Sequence, residues 1–249
     1  KKLFVALFAF MIALVTVLPT QVRAEGQTYE IGVAVYQYND NFMTLFRNEL
    51  EAYLKELEYL YLNQQVDANI PFVINDDMMT IANNLCVLER ETIQDTYSLL
   101  RHDDLQKAMR LLRDCQVIDV YGRKQNIDIA RSFQSRMYIL KQHVQLCSLS
   151  DELDSTYLLS DHNHCAIIVS YSGHAPCIQR LIQTLKKKGT AIIAITNIEE
   201  NYLSQMADVT LKMSSRELIY TKIADYASSL SLKYLFDLLY SCLFSIHYK

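Results

Sequence analysis

Seven residues, Ser170-Tyr171-Ser172-Gly173-His174-Ala175-Pro176, combine the ingredients of an anion site. Two hydroxyls precede a glycine, and a proline follows where a helix would begin. Glycine permits a tight turn or a positive φ. Proline fits the first helical turn, where its missing N–H costs nothing. Amides at a helix start have no partner within the helix and attract negative charge. That field is worth about 0.3–1 kcal/mol, up to ~2 kcal/mol when partly buried. Each hydrogen bond to a charged phosphate adds about 1.5–3 kcal/mol. Such a joint favours a phosphorylated ligand over a neutral sugar; the alternative is a plain serine–glycine turn.

A second joint, Tyr121-Gly122-Arg123-Lys124-Gln125-Asn126, offers a glycine, two cations and the amide of Asn126. Arg123 and Lys124 either supply charge to an anion or sit solvated in a loop. Thr196-Asn197 is a third joint, placed after the apolar run Ala191 to Ile195. Glu217 and His174 are candidates for a general base, should the site move a proton. Glu217 also reads as a structural residue before a helix, and His174 as a solvated loop residue. His162-Asn163-His164-Cys165 invites a metal reading, but in an extended chain the two histidines point to opposite sides. None of the six cysteines forms a C-x-x-C pair, so zinc spacing is absent. No metal and no cofactor is expected, and the cysteines read as free thiols suited to a reducing compartment.

These groups need elements to hold them. Asp77 to Leu100 predicts a helix with Ile81, Leu85, Leu88, Ile93 and Leu99 along one face. Asp103-Asp104 starts another, Leu105 to Cys115, with Leu105, Met109 and Leu112 on its apolar side. A strand–helix alternation follows. Strands are expected at 116–121, 144–147, 165–171, 191–196 and 209–213, and helices at 126–141, 176–187 and 221–244. The run Cys165 to Tyr171 is continuously apolar up to Val169, the signature of a strand buried on both faces. Alternating strands and helices imply a parallel sheet with right-handed crossovers. The expected fold class is α/β, a three-layer αβα sandwich on a mainly five-stranded parallel sheet, preceded by helices. In such a sheet ligands bind beyond the carboxyl ends of the strands.

The order S-Y-S-G after a buried strand, then a helix, then A-I-I-A-I-T, resembles the sugar-isomerase (SIS) domain. In that family this loop binds the phosphate of a phosphosugar. The resemblance implies phosphosugar contacts from Ser170, Ser172, Gly173, His174 and Thr196. The family's other phosphate loop is close to G-x-G-x-S. Gly122 matches it, Lys124 stands at the second glycine and Asn126 at the serine. Gly122 and Asn126 are carried over as binding residues of an altered loop. Isomerase members place a catalytic carboxylate near Glu217, while in regulator members that position contacts ligand or partner. The altered loop argues for binding over catalysis.

From about Pro71 onward the chain resembles the effector half of RpiR-type transcriptional regulators. The supporting segments are L-E-R-E-T-I-Q-D-T, V-I-D-V-Y-G, A-D-V-T-L and K-I-A-D-Y-A-S-S-L-S-L-K-Y-L-F-D-L-L-Y. The resemblance implies a phosphosugar sensor that forms a homodimer through its helices, and DNA binding through a helix-turn-helix head that residues 1–70 do not display. Nor does composition point to nucleic acid: net charge is −4 and no basic face stands out. A sugar-phosphate isomerase is the alternative, and a secreted sugar-binding fragment a third.

That third reading comes from the N-terminus. Lys1 and Lys2 precede an apolar run from Leu3 to Leu18, then Pro19 and the small-residue site Val22-Arg23-Ala24. This is the layout of a signal peptide, or of an uncleaved membrane anchor, since the run approaches a spanning length. Residues 29–57 resemble the start of periplasmic glucose/galactose-binding proteins, with a strand Ile31 to Tyr36 and a helix Phe42 to Tyr61. That likeness implies Asp40 hydrogen-bonding sugar hydroxyls and Phe42 stacking on the ring, with Tyr36 beside them. A lone strand and helix cannot close a two-lobed cleft, so the other reading is a fused fragment with no site. The division expected is thus 1–24 signal-like, 25–70 fragment and junction, and 71–249 SIS domain with its helical lead-in. The leader implies export, whereas phosphosugars are cytoplasmic metabolites. No stable membrane partner is expected.

Overall fold

The computed structural model describes residues 20–24, 27–31, 66–149, 158–214, 216–218 and 222–247. The chain divides into two compact units, Lys1–Gln65 and Val66–Lys249. In the first, strands β1 (Thr20–Ala24) and β2 (Gln27–Ile31) form an antiparallel pair in which Thr20 faces Ile31. The triplet Val22-Arg23-Ala24 lies within β1. Strand β2 thus pairs with β1 as a hairpin. Residues 3–18, the expected strand beyond Ile31, the helix 42–61, and Tyr36, Asp40 and Phe42 all lie outside the described residues.

The second unit opens with helices α1 (Met78–Ser98) and α2 (His102–Asp114). Then follow β3 (Val117–Gly122), α3 (Lys124–Met137), β4 (His143–Ser148), β5 (His164–Val169), α4 (Pro176–Lys187), β6 (Ala191–Thr196), α5 (Tyr202–Met206), β7 (Val209–Lys212) and α6 (Tyr226–His247). The five strands β3 to β7 form a parallel sheet in the order β4-β3-β5-β6-β7. Chain direction across the sheet reverses at β3: β4 lies on one side of it and β5 on the other. That switch leaves a crevice at the carboxyl ends of β3 and β5.

The sheet is covered on both faces. On one, Ile118, Cys165, Ile167 and Ile193 pack against Leu112 of α2, Phe133 of α3 and Phe236 of α6. Phe133 and Phe236 stack with centroids 4.9 Å apart. On the other, Ala166, Ile168, Ile192 and Ala194 meet Leu181, Ile182 and Leu185 of α4 and Leu203 of α5. Each buried Ile, Leu and Phe among them contributes about 1.5–3 kcal/mol by leaving water. Five consecutive apolar residues, Cys165 to Val169, fit because both of their faces are buried. The expected three-layer α/β sandwich is the fold observed.

Several boundaries and faces differ from expectation. Helix α3 ends at Met137, then tightens into a 3-10 turn at Tyr138–Leu140, and Lys141 takes a left-handed φ of 58°. Helix α6 begins at Tyr226, five residues later than predicted from the composition, because a carboxylate from outside the helix fixes its start. The predicted apolar face of α1 is half wrong. Leu88 is buried, but Thr92, Asp95 and Thr96 are its other buried residues, and Ile93 is exposed. Helix α1 docks largely by polar contacts. Thr96 Oγ1 lies 2.8 Å from Ser231 Oγ of α6, and buried Arg216 pairs with Asp95 and Glu91. Among the described residues one helix, α6, is long and apolar enough to cross a membrane, but its Leu232, Leu235, Leu239 and Leu243 are buried against the sheet.

Candidate functional site

The loop after β5 is held from below. Ser170 N–H donates to Ile195 O at 3.0 Å, and the Asn197 N–H and Thr196 Oγ1 donate to Tyr171 O at 3.2 and 3.1 Å. Asn201 Nδ2 donates to Thr196 Oγ1 at 2.8 Å, while Asn201 Oδ1 accepts from Ser204 N–H at 3.0 Å. Gly173 crosses this support with φ +65°, and a Cβ there would lie 2.1 Å from Asn201 Oδ1. Both facts demand glycine. Gly173 N–H donates to Ser170 Oγ at 3.1 Å, closing the turn on its own serine.

Above the loop is a cavity of about 390 Å³. Ser170, Ser172 and Tyr171 line one wall, and Arg123, Gln125 and Asn126, from the start of α3, line another. Lys222, Asp225 and Ser228 form the third wall, at the start of α6. Three helix starts therefore converge, and they are not alike. Helix α3 follows Arg123 and helix α4 follows Ala175, and neither of these N-cap residues places its own side chain on the helix amides. Helix α6 is capped by Glu217, whose carboxylate accepts from Ala227 N–H, from Ser228 N–H at 3.1 Å and from Ser228 Oγ at 2.6 Å. Two starts thus present amides toward the cavity, and their partial positive charge favours an anion between them.

Family comparison agrees with this geometry. Residues 111–240 match the SIS domain. The chain belongs to the SIS domain family. A helix-turn-helix-type transcriptional regulator of Caldanaerobacter subterraneus is 26% identical over 148 residues, 58% of this chain and 51% of that protein. The transcriptional regulator RpiR of Escherichia coli is 20% identical over 162 residues, 65% of this chain and 52% of RpiR. The chain spans about half the length of these curated relatives. The solved structure of the NanR protein of Vibrio vulnificus, complexed with ManNAc-6P, shares the fold with a TM-score of 0.60. Its identity is 17%, and the likeness covers 85% of this chain and 70% of NanR. The family match begins at residue 111, so the likeness of residues 29–57 to periplasmic binding proteins gains no support from it.

Within the SIS domain the residues expected at the site separate into groups. Ser170, Ser172 and Asn126 line the cavity. Gly173 and Thr196 lie beneath it as supports, with Thr196 fully buried. Gly122 is the last residue of β3, and a Cβ there would meet Asn126 Cβ at 3.0 Å, so its bareness lets α3 begin against the strand. His174 is exposed and outside the cavity lining. Glu217 is buried, and its oxygens are taken up by α6 and by Lys222 Nζ at 2.9 Å.

Sequence reasoning missed Lys222. Its ammonium lies 5.3 Å from the centre of the Tyr171 ring, a cation–π distance, and it pairs with Glu217 and Asp225. Burial works against its charge, but hydrogen bonds and charge from Asp225 and Glu217 outweigh that and hold its pKa above the ordinary lysine value. No periodicity marks this residue in the sequence. Helix α5 was also missed, although the Asn201-x-x-Ser204 spacing is a capping box and could have announced it.

His164 opens β5, at the end of the strand away from the cavity. Its Nδ1 lies 2.8 Å from Asp119 Oδ2, which also accepts from Ser160 Oγ at 2.7 Å. His162 is exposed. Among the described residues no three His, Cys, Asp or Glu side chains are grouped as a metal site.

Proposed function

We propose that the cavity binds a phosphorylated sugar and that this SIS domain is the ligand-sensing part of a transcriptional regulator of sugar metabolism. The observation that carries the reading is the pair of uncapped helix starts, α3 and α4, facing one cavity together with the hydroxyls of Ser170 and Ser172. A phosphate between them would gain two helix-end fields and several charge-assisted hydrogen bonds. Arg123 adds a cation at the rim, and Lys222 with Asp225 can address sugar hydroxyls further in. The regulator relatives support the regulatory role, and the ManNAc-6P complex of NanR supports the class of ligand.

The geometry favours binding over isomerisation. A base for proton transfer must have an oxygen or nitrogen available to substrate. Glu217 is committed to the start of α6 and to Lys222, and His174 lies outside the lining. DNA contact enters this reading only through a helix-turn-helix head, with the described residues supplying the sensor. Helix α1 exposes Met78, Met79 and Tyr97, which suits pairing of two sensors as a homodimer. A ligand of this class places the domain in the cytoplasm.

Titration calorimetry with a panel of hexose and amino-sugar 6-phosphates tests the proposal. Saturable heat from at least one is the expected result. No heat from any, on a folded sample, would overturn it.

A further inference from the structure

The segment that follows β7 touches the cavity on one side and the lead-in of the domain on the other. On the cavity side, Tyr171 Oη donates to Glu217 O at 2.7 Å, and Lys222 lines the cavity while holding Glu217 Oε2 at 2.9 Å. On the other side, neighbouring Arg216 is buried and pairs with Asp95 and Glu91 of α1. The same segment is gripped twice by Asn69, ahead of α1. Leu218 N–H donates to Asn69 Oδ1 at 2.7 Å, and Ile223 N–H donates to Asn69 O at 3.0 Å. Asn69 is itself fixed by Asp67 Oδ1 at 2.9 Å from both its N–H and its Nδ2, and Ala68 packs with Leu88 of α1 and Ala227 of α6.

We infer that this segment couples occupancy of the cavity to the chain that enters the domain, residues 66–98, with Lys222 as the reader and Asn69 and Arg216 as the outputs. The inference rests on the reading of the cavity as a phosphosugar site and names how that site is regulated. Among the described residues, Lys222 is the one cation that both lines the cavity and binds the buried carboxylate next to Arg216. A phosphosugar that hydrogen-bonds Lys222 or Asp225 fixes the side chains on which Glu217 and the chain around it rest. Ordering there is carried to Leu218 and Ile223, whose amides end on Asn69, and through Arg216 to α1. Because coupling is reciprocal, loosening the Asn69 end must weaken ligand binding, although Asn69 does not line the cavity.

The test uses the full chain and Asn69→Ala, titrated with N-acetylmannosamine 6-phosphate, glucosamine 6-phosphate and glucose 6-phosphate, with amide hydrogen exchange followed with and without the tightest of them. The inference expects slower exchange at the Leu218 and Ile223 amides and across residues 78–98 on binding. It also expects affinity in Asn69→Ala to fall about fivefold or more, with α4 and the central strands protected as before. Should Asn69→Ala fail to fold, Glu91→Gln, which weakens only the outer partner of Arg216, takes its place in the same comparison. Binding with unchanged exchange at those amides, or with unchanged affinity in the variant, would overturn the coupling and leave the phosphosugar site standing. No binding to the unaltered chain would overturn the site and the coupling together.

Discussion

Helices α3 and α4 begin at the cavity, and among the described residues their N-cap positions set no side chain on the first amides, whereas α6 begins beside them with the buried carboxylate of Glu217 across its own. All three starts carry the same backbone charge, so the difference lies in what the sequence supplies to meet it. At α6 the protein provides its own anion, and Lys222 balances it at 2.9 Å. At α3 and α4 the capping positions are Arg123 and Ala175, which offer no acceptor. A helix start closed by an internal carboxylate is part of the scaffold; the pair left open around a polar cavity is where the phosphate is proposed to bind. The same contrast assigns Glu217 a structural task despite its position near the site.

The largest effect is expected at the closed start. Glu217→Ala leaves the α6 amides uncapped and Lys222 half-buried with Asp225 alone, and should cost about 3–5 kcal/mol, as expected for breaking a buried pair. Thermal or denaturant unfolding measures it. Gly173→Ala strikes the support under an open start. It forces a side chain into a left-handed φ and against Asn201, and should cost about 2–4 kcal/mol with loss of phosphosugar binding in calorimetry. Ser172→Ala touches the open site itself. Affinity should fall by about 1.5–3 kcal/mol, the worth of a hydrogen bond to a charged group, with the melting temperature unchanged. Ala175→Asp sharpens the contrast in the opposite sense by giving α4 a cap like that of α6. Stability should rise by about 0.5–2 kcal/mol while phosphosugar binding is lost, because an internal carboxylate now occupies the anion's place.

The fold is legible in the sequence where local chemistry leaves one solution. Five apolar residues in a row at Cys165–Val169 need cover on both faces, and Gly173 and Pro176 mark the turn and the helix start that follow. Ser170 and Ser172 are legible for the same reason, since they sit between a strand and a helix with no room to be elsewhere. What escapes the sequence is decided by contacts distant along the chain. The buried polar face of α1 is unreadable because its partners, Arg216 and Ser231, lie 121 and 135 residues beyond Asp95 and Thr96. Thr196 follows a strand, as a ligand contact would, yet Asn201 turns its hydroxyl into a brace. Glu217 and Lys222 are single polar residues without a pattern; the contacts of Glu217 with the start of α6 separate a cap from a base, and the approach of Lys222 to Tyr171 reveals a cation at the cavity.

If the two open helix starts make this an anion site, a paired titration of N-acetylmannosamine 6-phosphate, glucosamine 6-phosphate and glucose 6-phosphate against their unphosphorylated parents will separate phosphate recognition from sugar recognition. Saturable binding is expected for at least one phosphorylated sugar and none for its parent at the same concentrations. Equal affinity for the two, or binding of the parent alone, would contradict it.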